Sequence, residues 1–194
     1  MQSAGPRAHA AEVTAEDSAP LDPDAILSAG VQDITNTLVG AYSLNDLLRM
    51  TLETMYRGIG FERVLFCTRD LKRPQMVARF GFGTDIQKVI ANFRFDTQAT
   101  GDVFQLALAR NADILIEDID ADAIQSRIPS WYRAAVPAKT FIVFPVVLDK
   151  RAIGLFYGDR SSAGLLKIPP GQLNLLKTLR NQAILAIRQK QFGA

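Results

Sequence analysis

An α+β fold with an antiparallel sheet is predicted by three features of this sequence. Apolar runs of strand length come in pairs joined by short polar turns, which favours antiparallel neighbours. Stretches of helical periodicity stand before the first pair and after the last. Shorter helical stretches separate the two pairs, so the helices are grouped rather than alternating one for one with strands. In a chain of 194 residues at 48% apolar content, one domain with a sizeable core is the default.

The elements follow in order. Residues 1–21 are rich in Ala, Pro, Ser and Glu and poor in large apolar side chains. They bury too little surface to offset ordering entropy and read as a flexible linker, leaving 22–194 as the domain. Asp22-Pro23-Asp24 is a helix start, with Ile26, Leu27, Val31, Ile34 and Leu38 at helical spacing behind it. Ser43, with Asp46 three residues on, opens a second helix over Leu47 to Met55, which Gly58 and Gly60 stop. Glu62 to Thr68 and Gln75 to Phe82 read as strands joined by a polar turn at residues 70–74. Thr84 and Gln87 have the spacing of a capping box for a short helix through Phe93, and Arg94-Phe95-Asp96 is a brief extended piece. A helix starts at Thr100-Gly101-Asp102, a β-type run covers Ala112 to Glu117, and an acidic loop and a weak helix carry the chain through Trp131 and Tyr132. Phe141 to Leu148 and Ala152 to Asp159 are the two strongest strands, tightly connected. Pro169-Pro170 then precedes a long helix presenting Leu173, Leu176, Leu179, Ala183, Ile184 and Ile187. The terminal helices are expected on one face of the sheet, and the middle helices and loops on the other.

Composition excludes several classes of function. The one cysteine, Cys67, permits no internal disulfide framework and no Cys-rich zinc site. No apolar run approaches the roughly 20 residues of a membrane span, and no secretory signal is legible, so a cytoplasmic location is expected. Bases outnumber acids at the end, where Arg160, Lys167, Lys177, Arg180, Arg188 and Lys190 follow Asp159 without an acid. Such a face is ordinarily solvated and favourable to the helix dipole, so neither nucleic acid nor membrane is expected as a partner.

The closing strands from Phe141 to Asp159, with Pro145 in the first and Ile153-Gly154-Leu155 in the second, and the helix Leu173 to Ile187 together resemble the GAF domain family over residues 24–190. The related PAS fold opens with strands, whereas this chain opens and closes with helices. The resemblance implies a sensory and dimerisation module of a signalling protein, with an attached output domain and a pocket on the sheet face away from the terminal helices. It also implies that the first 20 residues are an interdomain linker. The specialised chemistries of the family lack their residues here. His9, the one histidine, lies in the linker and is a poor axial haem ligand, and one thiol cannot complete a reductase cycle through a disulfide. Cys67 has no adjacent histidine for bilin attachment, and the dispersed signature of cyclic-nucleotide binders is not placed on this chain. No cofactor is expected.

Other motifs read as structural. Cys67 sits mid-strand as a small core hydrophobe. Asp118, Asp120 and Asp122 match the opening of a calcium loop, but Ala123 and Pro129 stand where glycine and glutamate are needed. Ser161 and Ser162 have no base to activate them, and Gly81, Gly83 and Gly101 lack phosphate-loop spacing. No catalytic residue and no metal site are predicted. Aromatic residues between the second and fifth strands are the candidates for lining a ligand site: Phe80, Phe95, Phe104, Trp131 and Tyr132, with Arg94 as a partner for an anion. Phe93, Arg79 and Arg133 are interleaved with them. Leu27, Val31, Leu38, Leu175 and Leu179 are the candidates for a homodimer seam between terminal helices. The expected function is non-enzymatic sensing of a small molecule, dimerisation, or both; the alternative is a ligand-free dimerisation or docking module.

Overall fold

In the computed structural model, residues 22–192 are described. The proposed linker over residues 1–21 and the last two residues lie outside that range. Helix α1 (Pro23–Val39) starts as its sequence requires, with Asp22 Oδ1 accepting the Asp24 amide and proline at the first position. Helix α2 (Leu44–Ile59) is capped by Ser43, whose Oγ accepts from the Asp46 amide, and it ends on Gly60 at φ 68°. Gly58, expected to help stop this helix, lies inside it for a different reason. A Cβ there would meet the Leu27 side chain at 2.5 Å, so its absence lets α1 approach α2.

Strands β1 (Arg63–Arg69) and β2 (Gln75–Gly83) form the first hairpin. Helix α3 (Ile86–Asn92) follows, but not through the expected Thr84–Gln87 capping box. The residue before it is Asp85 at φ 52°, with no side-chain cap. The Thr84 amide is instead held by the Glu62 carbonyl, so the chain is still part of the sheet edge where the box would form. Strand β3 (Arg94–Asp96) pairs with β2 at the edge, and α4 (Val103–Arg110) carries the true capping box, made by Asp102 and Gln105. The expected run over 112–117 contracts to β4 (Ile114–Ile116), followed by a 3-10 turn (Gln125–Arg127) and α5 (Ser130–Ala135). Strands β5 (Thr140–Leu148) and β6 (Arg151–Arg160) turn through Asp149 and Lys150, both at positive φ, which matches the twist of a two-residue hairpin. Helix α6 (Pro170–Phe192) closes the chain.

The sheet is antiparallel throughout, in the order β3-β2-β1-β6-β5-β4. Helices α2 and α6 lie on one face, and α1 packs on those two helices as an outer layer. Gln182 of α6 reaches the Val31 carbonyl and Thr35 hydroxyl of α1 at 3.1 and 2.6 Å. The opposite face carries α3, α4, α5 and their loops over a second apolar core. The basic end of the chain is partly paired: Arg180 meets Asp113 at 2.7 Å, and Arg188 meets Asp149 at 3.5 Å.

A bulge changes which side chains share a face. Phe66 pairs with Phe80 but Cys67 pairs with Ala78, so Arg79 is an extra residue in β2. Met76 and Ala78 therefore join the core on the α3–α5 side, while Phe80 and Phe82 face the terminal helices.

Candidate functional site

On the α3–α5 face, β3 supplies Phe95, α4 supplies Phe104, α5 supplies Trp131 and Tyr132, and β5 and β6 supply Phe141 and Tyr157. Phe93 stands between α3 and β3. Phe104 touches Phe95, Trp131, Tyr132 and Phe141 with ring centroids 5.0 to 5.4 Å apart. Such spacings mean ring against ring, so these side chains fill one another's space rather than surround an opening. Four of the five aromatic candidates are thus brought together. Phe80 is not among them, because the bulge at Arg79 turns it through the sheet to the terminal-helix side, where it packs on Phe66. Arg94 is also apart from them: alternation along β3 buries Phe95 and exposes Arg94, which donates to the Ala91 carbonyl at the end of α3.

Beneath the rings lies a charged chain of contacts that sequence reading missed. Arg63 of β1 and Asp159 of β6 are 2% and 0% exposed. Arg63 Nε donates to Asp159 Oδ2 at 3.1 Å, and its Nη2 lies 2.7 Å from Oδ1, out of line for a hydrogen bond. Tyr157 donates to the same Oδ2 at 2.6 Å, and the Tyr132 hydroxyl is 2.9 Å from that of Tyr157. Burial lifts the Asp159 carboxyl to about 6, even with the guanidinium and Tyr157 favouring its charged form. Burial opposes the charge on Arg63 too, yet its hydrogen bond and attraction to Asp159 leave its pKa raised, so the guanidinium stays charged. Both phenols are pushed well up, by burial first and by the Asp159 charge second, and remain protonated donors. The available signal was an acid at the end of a continuous apolar strand, Tyr157-Gly158-Asp159. Its partner, 96 positions earlier in the chain, is visible only once β1 lies beside β6.

At the rim of the same face, the loop 97–102, α4 and the end of β1 border an open cleft of about 400 Å³. Arg69 is fixed there by its Nε bond to the Ala152 carbonyl at 2.6 Å and an Nη1 bond to the Thr97 hydroxyl at 3.2 Å. Arg127 contributes a second guanidinium. Neither forms an ion pair among the described residues. The one carboxylate in the cleft, Asp102, is half-buried and occupied in capping α4; burial raises its pKa.

Cys67 is fully buried on this side of the sheet, and burial pushes its thiol far above the usual range. Cys67→Ser is expected to cost about 1–3 kcal/mol, because a hydroxyl replaces the thiol where no partner waits. Equilibrium denaturation measures the loss, and slow labelling of the native protein by a thiol reagent is expected beside it. Rapid stoichiometric labelling would contradict the burial. The acidic loop is tied internally: Asp118 accepts from the Asp120 amide at 2.9 Å, Asp120 pairs with Arg133 at 2.6 Å and with Lys139, and Asp122 accepts from Gln125 at 3.0 Å. Arg133 is thereby committed to the loop and to the Ile119 carbonyl.

The seam candidates divide. Leu27 and Leu179 are fully buried within the chain, whereas Val31, Leu38 and Leu175 are half-buried. Val39 and Leu185 stand out at 87% and 46% exposed. No described helix is long and apolar enough to cross a membrane.

No protein-family model and no curated protein matches the sequence. Solved structures match its fold. A segment of a methyl-accepting chemotaxis protein, residues 122 to 287, is 23% identical, with 84% of this chain and 99% of that one covered at a TM-score of 0.66. The phycoerythrobilin-bound GAF domain of a cyanobacterial phytochrome is 12% identical, covering 87% and 97% at 0.68. Free methionine-R-sulfoxide reductase from Neisseria meningitidis, in complex with its substrate, is 19% identical, covering 87% and 94% at 0.61.

Proposed function

We propose that this chain, which has the GAF-domain fold, is a non-enzymatic sensory domain of a cytoplasmic signalling protein, binding a small organic anion and dimerising to regulate an attached output domain. The observation that carries the ligand reading is the cleft beside α4, which Arg69 and Arg127 both line and where neither forms an ion pair among the described residues. A guanidinium held in place, as that of Arg69 is, favours a carboxylate or a similar anion. Similar structures with a bound bilin or a bound substrate support small-molecule binding on this scaffold. Native mass spectrometry of freshly purified protein tests the reading. A retained small anion that Arg69→Gln releases is the expected result. Protein free of ligand, with no affinity for small carboxylates, would leave only the second reading.

That second reading, a ligand-free dimerisation module, is favoured by the filled aromatic face. Its seam would use Val31, Leu38 and Leu175, the candidates that keep some exposure. Leu38→Glu with Leu175→Glu is expected to leave the circular dichroism spectrum intact and to shift the mass measured by light scattering from dimer to monomer. A wild-type protein already monomeric at high micromolar concentration would eliminate the seam.

A further inference from the structure

Across the sheet from the aromatic cluster, an open groove of about 500 Å³ lies between the first half of α2 and the far end of α6. Its floor is apolar, with Phe66 and Phe80 on the sheet, Leu48 on α2, Ile153 on β6 and Ile187 on α6, and Asn45, Thr68 and two arginines also line it. Two features of the sheet create it. The bulge brings Phe80 to this face, and Gly154, paired with Thr68 of β1, leaves its position on β6 without a side chain. Gly154 is required there, since a Cβ would come within 2.5 Å of the Cys67 carbonyl oxygen.

Two guanidinium groups stand over this trough. Arg49 lies 4.7 Å above the Phe80 ring. Arg79, the bulged residue itself, donates its Nε to the Thr68 hydroxyl at 2.7 Å. That bond uses Nε and leaves the two terminal nitrogens for another acceptor. Neither arginine forms an ion pair among the described residues. Asp70 is near enough to feel Arg79, but its Oδ1 already accepts the amides of Lys72 and Arg73. The groove therefore combines an apolar floor with positive charge that no acid of its own neutralises, and its volume falls in the range of small-molecule sites, roughly 300–1,000 Å³.

We propose that this groove binds a free amphipathic carboxylate, its alkyl or aryl tail lying on Phe66, Phe80 and Leu48 and its head held between Arg49 and Arg79. A guanidinium already seated on an aromatic ring, and another already fixed through Nε, lose little freedom on gripping a carboxylate. The tail gains by leaving water. The site shares no lining residue with the cleft beside α4, so it stands or falls independently of the function proposed above.

Decanoate, kept below its micelle concentration, is the probe, with decanol as the uncharged control, on the full chain by isothermal titration calorimetry and amide chemical shifts. Saturable binding of decanoate is expected, about tenfold or more tighter than that of decanol. The shifts should cluster at Leu48, Phe80 and Ile187. Arg49→Gln with Arg79→Gln alters exposed side chains and should keep the melting temperature. It should weaken decanoate by about tenfold or more and leave decanol unchanged. Equal affinity for the two probes, an unaffected double variant, shifts confined to α4, or no saturable binding would each overturn the proposal. So would association with phosphatidylglycerol vesicles in place of monomeric decanoate, which would make the arginines a lipid-surface contact.

Discussion

Arg63→Met is expected to destabilise the domain by about 3–5 kcal/mol near neutral pH, since it removes one partner of a buried ion pair and leaves the other without its countercharge. Asp159 is fully buried, and Arg63 is its cation at 2.7 Å. Glu62, whose carboxylate is 3.8 Å from the same guanidinium, adds a second negative charge to the neighbourhood. The loss should depend on pH in a definite direction. The folded carboxyl of Asp159 has a pKa of about 6, above its ordinary value, so the folded state holds this proton more tightly than the unfolded chain does. Its contribution to stability is complete below about pH 4 and is lost as pH rises to about 6. Removing Arg63 lifts the carboxyl further, so the gap between wild type and Arg63→Met should be small at pH 4 and widen through pH 6 and above. Urea denaturation at pH 4 and pH 7.5 reads both values. A gap that does not change with pH would show that Arg63 acts by packing alone. Asp159→Asn, which cannot ionise, should lose the slope between pH 4 and 6 that the wild-type residue contributes.

The second large effect is expected at Phe104. Its ring is fully buried and touches Phe93, Phe95, Trp131, Tyr132 and Phe141 at centroid distances of 5.0 to 5.9 Å. Phe104→Ala should cost about 3–5 kcal/mol, the transfer energy of a ring plus the cavity left among neighbours that fix one another's positions. The same change should open a dry apolar space under α4. Benzene is expected to raise the melting temperature of Phe104→Ala and not that of the wild type. A cost below about 1 kcal/mol would mean that the rings close over the gap, and the filled face would then be adaptable rather than rigid.

Arg63 and Phe104 mark different limits of sequence reading. Phe104 is a large apolar residue on a periodic helix, and its burial follows from composition and spacing. What it packs against depends on how β3, α4, α5 and β5 converge, which no local pattern encodes. Arg63 carries no local sign of burial at all, because its partner arrives from the far end of the chain.

What the sequence by itself determined is the set of local decisions. Asp22-Pro23 and Ser43 start α1 and α2 because a side-chain acceptor satisfies amides that the helix leaves free. The apolar runs at 141–148 and 152–159 become the hairpin β5–β6 because so short a link admits only antiparallel pairing. Those energies act over a few residues, and the α+β class follows from their order. Only the tertiary structure decided the rest. It placed β1 beside β6, and with that the Arg63–Asp159 pair. It inserted Arg79 as a bulge, which carried Phe80 from the expected ligand face to the groove under α2. It stacked α1 on α2 at Gly58, where the pattern alone read a helix stop. A period-2 argument fixes which side chains alternate only while pairing is unbroken, and whether it is broken depends on the neighbouring strand rather than on the residues within it.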